Sequence, residues 1–341
     1  MDKPSLRDVA RRAGVGTTTV SRVLNQHPNI SDTTRARVTA AIEQLGYVPD
    51  VGARHFRLGR THAVSALLPM IGTPFYETLL TALHGPLEAQ GYDLALFPLL
   101  GSQRVRRFRD ASALAYRADA LLIVSQHPDE LYGGPPPFRG PTVLLDAQHP
   151  TYHSVSFDNH SAGRLAAEYA LGRRLPIVFL DGADAPGAPG SPVFVARRAG
   201  IVQTLGRHGI RPVLTVSVLP EQEGLRLAAQ QIAARRPPGP FLLLAMTDDL
   251  ALGVRQHLHD SGGLRLGEDY LLLGFDGSAA AAAAGLSSVV QPVQAMGEAA
   301  ASVLLEALRG ELNTLVQRQF SPTLREDRST ALQADPQQHP T

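Results

Sequence analysis

Apolar positions recur along this chain with two different rhythms. Near the start they repeat at three- and four-residue spacing. Leu6, Val9, Ala10 and Ala13 make one stripe, Val20, Val23 and Leu24 a second, and Val38, Ala41, Ile42 and Leu45 a third. Residues so spaced share a helix face, which predicts three short amphipathic helices. Ser5 can cap the first, and Asp8 adds negative charge to its first turn. Gly14 ends it where a left-handed residue is wanted, and Gly46 stops the third. Two helices joined by a tight glycine turn and braced by a third make a helix-turn-helix.

Beyond residue 62 the rhythm changes to short apolar runs with helical stretches between them. The runs are 63–69, 93–99, 120–125, 142–146, 154–158, 176–181, 213–219, 241–246 and 270–276. The helical stretches lie near 75–90, 103–117, 160–173, 194–209, 222–235, 248–262 and 293–309. This alternation predicts parallel α/β sheets, and nine strands in this length predict two of them. Gly/Pro-rich stretches at 133–141 and 185–192 read as loops. Several runs end in a carboxylate: Asp146, Asp158, Asp181 and Asp276, with Thr247-Asp248-Asp249 after another. Ligands of open α/β sheets lie outside the carboxyl ends of strands, so these acids are candidates to accept hydrogen bonds from a small polar ligand. The simpler role of capping the next helix is favoured for Asp158 and Asp181.

On the second helix Thr17 and Ser21, like Thr18 and Arg22, are four apart, opposite the apolar stripe. Small hydroxyls let a helix approach base edges, and an arginine can form a two-pronged bond to guanine. A merely solvated helix face would show the same spacing.

Composition narrows the choice. The 341 residues contain no cysteine, which excludes disulfide scaffolds, thiolate metal sites and thiol catalysis. There is no signal-peptide pattern at the start and no apolar run of membrane-spanning length, so the expectation is a cytoplasmic protein. The net charge of +1 divides unevenly: residues 1–60 carry +5 and the remainder −4. A basic head on a mildly acidic body suits a polyanion partner. The chain has no G-x-S-x-G, P-loop, G-x-G-x-x-G or H-E-x-x-H motif, and its twelve histidines are scattered, so an enzyme is not expected. A transport solute-binding protein would lack the helix-turn-helix.

Leu6-Arg7-Asp8-Val9-Ala10, Ala13-Gly14-Val15, Thr19–Asn25 and Leu45-Gly46-Tyr47-Val48-Pro49 closely resemble the headpiece of the lactose/galactose-repressor (LacI/GalR) family. The resemblance implies a DNA-binding headpiece over 1–48 and a hinge helix over 49–61. The DNA contacts it implies are Leu6, Thr17, Thr18, Thr19, Ser21, Arg22, Asn25, Ser31, Arg35 and Tyr47, then Ala53, Arg54, Phe56 and Arg57 in the hinge. Phe56 stands where leucine usually wedges open a base step, and the hinge is expected to be disordered without DNA.

The resemblance extends over the body through Thr73-Pro74-Phe75-Tyr76, Phe157-Asp158-Asn159 with Gly163, Arg197 with Gly200, Thr247-Asp248 with Ala251-Leu252-Gly253, and Gly274-Phe275-Asp276. It implies a periplasmic-binding-protein-like fold over 62–330. Lobe one would hold about 62–160 plus 292–321, and lobe two about 161–291, with three crossings between them. The effector contacts it implies are Phe75, Tyr76, Asp146, Arg197, Thr247, Asp248, Asp276 and Gln291, with Asp248 orienting its loop. Gly277, the loop of six alanines at 279–284, Val193, Phe194 and Leu219 depart from the family pattern and make the pocket more apolar than a typical sugar site. A sugar is the first expectation for the effector and a nucleoside or other metabolite the second. No cofactor or metal is expected. The tail, 331–341, has no leucine heptads and should be disordered, leaving a homodimer that binds a pseudo-palindromic operator. Repression is the mode the family most often implies.

Overall fold

The computed structural model describes residues 4–24, 27–47, 60–99, 118–183, 190–219 and 221–332. It divides into two units, Met1–Thr61 and His62–Thr341. The expected hinge residues Ala53, Arg54, Phe56 and Arg57, the helix expected over 103–117 and the tail from 333 lie outside the described residues.

In the first unit α1 (Leu6–Ala13), α2 (Thr17–Leu24) and α3 (Asp32–Leu45) form where the apolar stripes lie. The Asp8 amide donates to Ser5 Oγ at 3.4 Å and the Ser5 amide to Asp8 Oδ2 at 3.0 Å, a reciprocal box that satisfies free donors at the helix start. Gly14 takes φ 62°, and Arg37 donates to the Ala13 carbonyl at 2.5 Å, pinning α3 against the turn. The core is small and made of small residues: Val9, Ala10, Ala13, Val20, Val23, Val38 and Ala41.

The second unit contains two six-stranded sheets. Strands β1 (Ala63–Leu68), β2 (Asp93–Pro98), β3 (Ala120–Val124), β4 (Thr142–Leu145), β5 (His153–Phe157) and β11 (Gln317–Phe320) form the first, all parallel, in the order β11-β5-β4-β3-β1-β2. Strands β6 (Ile177–Gly182), β7 (Leu214–Val218), β8 (Phe241–Ala245), β9 (Tyr270–Asp276), β10 (Ser287–Val290) and β12 (Thr323–Arg325) form the second, in the order β12-β10-β9-β8-β6-β7. Only β12 runs antiparallel. Every residue of β3, β4 and β8 is buried, which a strand at the centre of a parallel sheet requires.

Helices α4 (Pro74–Glu88) and α11 (Val293–Arg309) pack together by the first sheet. Helix α5 (Pro128–Tyr132) is one turn after β3. With the second sheet go the pairs α6 (Asn159–Gly172) with α7 (Pro192–Arg207) and α8 (Gln222–Arg235) with α9 (Asp248–Gly262). The chain passes from one sheet to the other after β5, after β10 and between β11 and β12.

All nine expected strands form. Three further strands were not expected: β11 and β12 are short, mostly polar edge strands, and β10 has only four residues, two of them serine. The alanine run read as a loop is instead α10 (Ala279–Ala283), capped by a bond from the Ala281 amide to Ser278 Oγ at 3.1 Å. Alanine's high helix propensity accounts for this once a cap is present. Among the described residues, no helix is long and apolar enough to cross a membrane.

Candidate functional site

Two sites are legible, one in each unit. On α2 the side chains of Thr17, Thr18 and Arg22 are exposed, while Thr19 and Ser21 are half-buried at the edge of the stripe. The helix thus turns Val20 and Val23 into the core and offers a polar face without spending a buried group. The other headpiece candidates divide. Leu6 and Tyr47 pack against the core, so they help to hold the unit as well as flank its face. Ser31 caps α3 and donates to Thr34 Oγ1 at 2.9 Å, and Arg35 donates to the His27 carbonyl at 3.2 Å. Asn25 lies outside the described residues.

The second site gathers at the carboxyl ends of the strands. Ser125, Asp146 and Asp276 follow or close β3, β4 and β9, and all three have positive φ (51°, 56° and 104°). Positive φ is costly for residues other than glycine and clusters where side chains must be aimed at a site. Ser125 donates to Asp146 Oδ2 at 2.8 Å, and Gln291 Nε2 to Asp146 Oδ1 at 3.3 Å. The Gln291 amide donates to the Asp276 carbonyl at 3.1 Å. Gln291, at the second crossing, therefore ties Asp146 of the first sheet to Asp276 of the second.

Arg197, only 2% exposed, completes the network. It donates to Asn159 Oδ1 at 3.1 and 3.0 Å, to the Met246 carbonyl at 2.5 Å and to Asp276 Oδ1 at 3.3 Å. Its guanidinium lies 3.7 Å from the centroid of the Phe275 ring. The reach to Asn159 depends on two glycines. A Cβ on Gly163 would collide with the Arg197 carbonyl, and one on Gly200 with the His160 carbonyl. Only there can α6 and α7 approach so closely.

Burial of several carboxylates together raises their pKa values, because charge is hard to solvate there. Asp276 is pushed up to about 8, with Arg197 opposing and Asp248, Asp249 and Asp146 adding to the rise. Asp146 is pushed up to about 6 by burial, against the bonds from Ser125 and the Arg197 charge. Burial also raises the Tyr76 hydroxyl, which bonds to Ser125.

A cavity of about 750 Å³ opens in front of this network, lined from one side by Pro74, Phe75 and the start of α11 and from the other by Asp248, Asp276 and α10. Of the expected effector residues, Phe75, Asp248, Asp276 and Gln291 line it. Asp146, Arg197 and Tyr76 are buried around the same network and do not line it. Tyr76 packs edge-on against Phe75, with ring centroids 5.0 Å apart. Thr247 is not part of the lining and caps α9 through the Leu250 amide at 3.2 Å.

Asp248 accepts from Ser288 Oγ and the Ser278 amide, both at 2.7 Å, and so fixes the loop after β9. Asp158 caps α6 through the Ser161 amide at 2.9 Å. Asp181 caps no helix and instead forms a two-pronged pair with Arg198 at 2.8 Å on both oxygens. Sequence reading missed Ser125, Asn159 and Ser288. Asn159 and Ser125 each follow an apolar run, and that position was the available signal. Among the described residues, no group of acids and histidines is placed to hold a metal ion.

Residues 5–50 match the family model of bacterial regulatory proteins of the lacI family, and residues 165–330 match that of a periplasmic binding protein-like domain. Over 336 residues the chain is 30% identical to the HTH-type transcriptional repressor PurR of Erwinia tasmaniensis, covering 96% of this chain and 97% of that protein. A probable transcription regulator from Thermus thermophilus is 38% identical, with a TM-score of 0.66 over 79% of this chain and 98% of its own. The transcriptional regulator CelR, solved as a complex with cellobiose, is 25% identical, with a TM-score of 0.64 over 96% and 99% of the two chains.

Proposed function

Because the chain belongs to the LacI family of bacterial regulatory proteins, we propose that α2 reads its operator and that a small effector in the cleft sets how tightly it does so. The protein is a sequence-specific DNA-binding transcriptional repressor under effector control. One observation carries the division of labour. The same chain holds an exposed polar helix face and, in a separate unit, a buried hydrogen-bond network that spans two sheets.

In this reading Arg22 takes the base edge, while Thr17, Thr18 and Ser21 allow close approach. The hinge residues Ala53, Arg54, Phe56 and Arg57 enter the minor groove of the same operator. The protein works as a homodimer on a pseudo-palindromic site, in the cytoplasm, by binding and without catalysis.

The effector lies against Phe75 and takes bonds at Asp276 and Gln291. To reach Asp146 or Arg197 it must displace a bond that Gln291, Asn159 or Asp276 now makes. Because the Gln291–Asp146 bond joins the two sheets, a ligand that replaces it changes the relation of the lobes. Linkage then requires DNA to change effector affinity by the same factor. A sugar is the first choice for the ligand. A nucleoside is the second, since the Phe75 ring offers either one an apolar face.

The test is an operator selected from random DNA and titrated against the full chain at several salt concentrations. If a dimer neutralises about eight to ten phosphates, the log–log slope lies at roughly −7 to −9. A slope near zero would overturn the reading.

A further inference from the structure

The cleft carries a charge imbalance that its own hydrogen bonds do not absorb. Its lining includes Glu77, Asp249, Asp276 and Glu298 and, among the described residues, no lysine, arginine or histidine. Asp276 faces Arg197 behind the wall. No described residue pairs with the carboxylate of Glu77 or of Asp249. These two come from opposite sides: Glu77 from the first turn of α4 and Asp249 from the first turn of α9. Both line the same cavity, and burial and then the Glu77 charge hold Asp249 above the ordinary carboxylate range.

A blander account would assign both acids to the dipoles of the helices that begin here. Its magnitude falls short. A helix start is equivalent to about +0.5 charge, so the starts of α4, α9 and α11 supply roughly +1.5 against three full negative charges on Glu77, Asp249 and Glu298. Thr73 and Thr247 already occupy free amides at two of those starts, which leaves less there for an incoming anion.

A second observation points to a ligand. Gln291 lines the cavity and is 4% exposed, and its Oε1 has no hydrogen-bond partner although its Nε2 donates to Asp146 and to the Met296 sulfur. Buried acceptors are seldom left unpaired, so this one suits a donor from a bound molecule.

We propose that the cleft mouth takes a protonated amine between Glu77 and Asp249, so that the effector, sugar or nucleoside, carries a positively charged amino group and no phosphate or carboxylate. The proposal rests on the cleft being the effector site and narrows what it accepts. A cation between the two acids removes a repulsion across the cleft and favours the approach of the two sides.

The test uses full-length protein, with spermidine and inorganic phosphate as probes at constant ionic strength, read by calorimetry and thermal melting. Spermidine should bind saturably and raise the melting temperature, and the E77Q/D249N double variant should weaken it at least tenfold. Phosphate should do neither. A control variant, E168Q/E311Q, removes as much charge outside the cleft lining and should bind spermidine as the wild type does. No saturable spermidine binding, an equal loss in the control, or saturable phosphate binding removed by D276N would each overturn the amine site. Operator affinity with and without spermidine separates the two readings. Saturable binding that leaves operator affinity unchanged keeps the amine site and overturns the cleft as the regulatory site. Absence of saturable binding overturns the amine site and leaves the cleft reading to the operator titration.

Discussion

The exposed face of α2 and the wall of the cleft are both polar, but they are built in opposite ways. On α2, Thr17, Thr18 and Arg22 stand in water, and the helix needs nothing from them to fold. Around the cleft, Asp146, Arg197, Asp248 and Gln291 are buried and each is held by hydrogen bonds to other protein groups. A ligand of the first face brings its own partners, as phosphates and base edges do, and binding there displaces mainly water. A ligand of the second must exchange bonds that already stabilise the fold. Only the second arrangement can turn the arrival of a small molecule into a rearrangement, because only there do the same bonds serve the ligand site and the joint between the lobes.

The sharpest test of this contrast is Arg197→Ala. It leaves Asp276 and Asp146 buried without their cation and opens four hydrogen bonds, so denaturant melts should show the body losing about 3–5 kcal/mol. A loss below about 1 kcal/mol would mean that the network does not support the fold. Arg22→Ala makes the opposite prediction: no change in melting, but about 1–3 kcal/mol lost on the selected operator with relaxed preference at one position. Equal losses on specific and random DNA would reduce Arg22 to a backbone contact.

Protonation gives the next effect. Asp276 near 8 and Asp146 near 6 are both raised above their unfolded values. The native state therefore holds more protons between about pH 4 and 8, and stability falls as pH rises through that window. The ligand-free protein should lose stability steadily between pH 5 and 8.5, with Asp276→Asn flattening the part above pH 6. The headpiece should show no such slope, and a slope that survives in Asp276→Asn would point to other groups. The smallest effect is Ser5→Ala, which removes one side of the α1 capping box. It should cost the headpiece about 1 kcal/mol and leave the body's melting unchanged.

Much of this organisation was readable in advance, and the reasons differ by region. The three headpiece helices follow from apolar spacing because a helix presents every third and fourth residue to one side, so the face of α2 needed no tertiary information. The nine main strands followed from short, mainly apolar runs, some interrupted by single hydroxyl residues as in β5 and β7. The strands β10, β11 and β12 did not, because a strand of three or four residues is held by its neighbour and carries little pattern of its own. The helix α10 was misread as a loop, since six alanines signal nothing about polarity, and its Ser278 cap lies outside the run.

The cleft shows the limit most clearly. Sequence placed acids at the strand ends but could not sort them. Asp158 caps a helix, Asp181 pairs with Arg198, Asp248 fixes a loop, and Asp146 and Asp276 enter the buried network. All five look alike along the chain, because what separates them is which residue from another element lies opposite.

The sequence by itself determined the local periods, the caps, the +5 and −4 division and the family to which the motifs point. These depend on residues a few positions apart, or on charge alone. Tertiary structure decided that Gly163 and Gly200 let Arg197 reach Asn159, that Gln291 ties one sheet to the other, and that Glu77 and Asp249 share one cleft. Those pairings join residues far apart in the chain, and only packing brings them within the few ångströms over which hydrogen bonds and buried charges act.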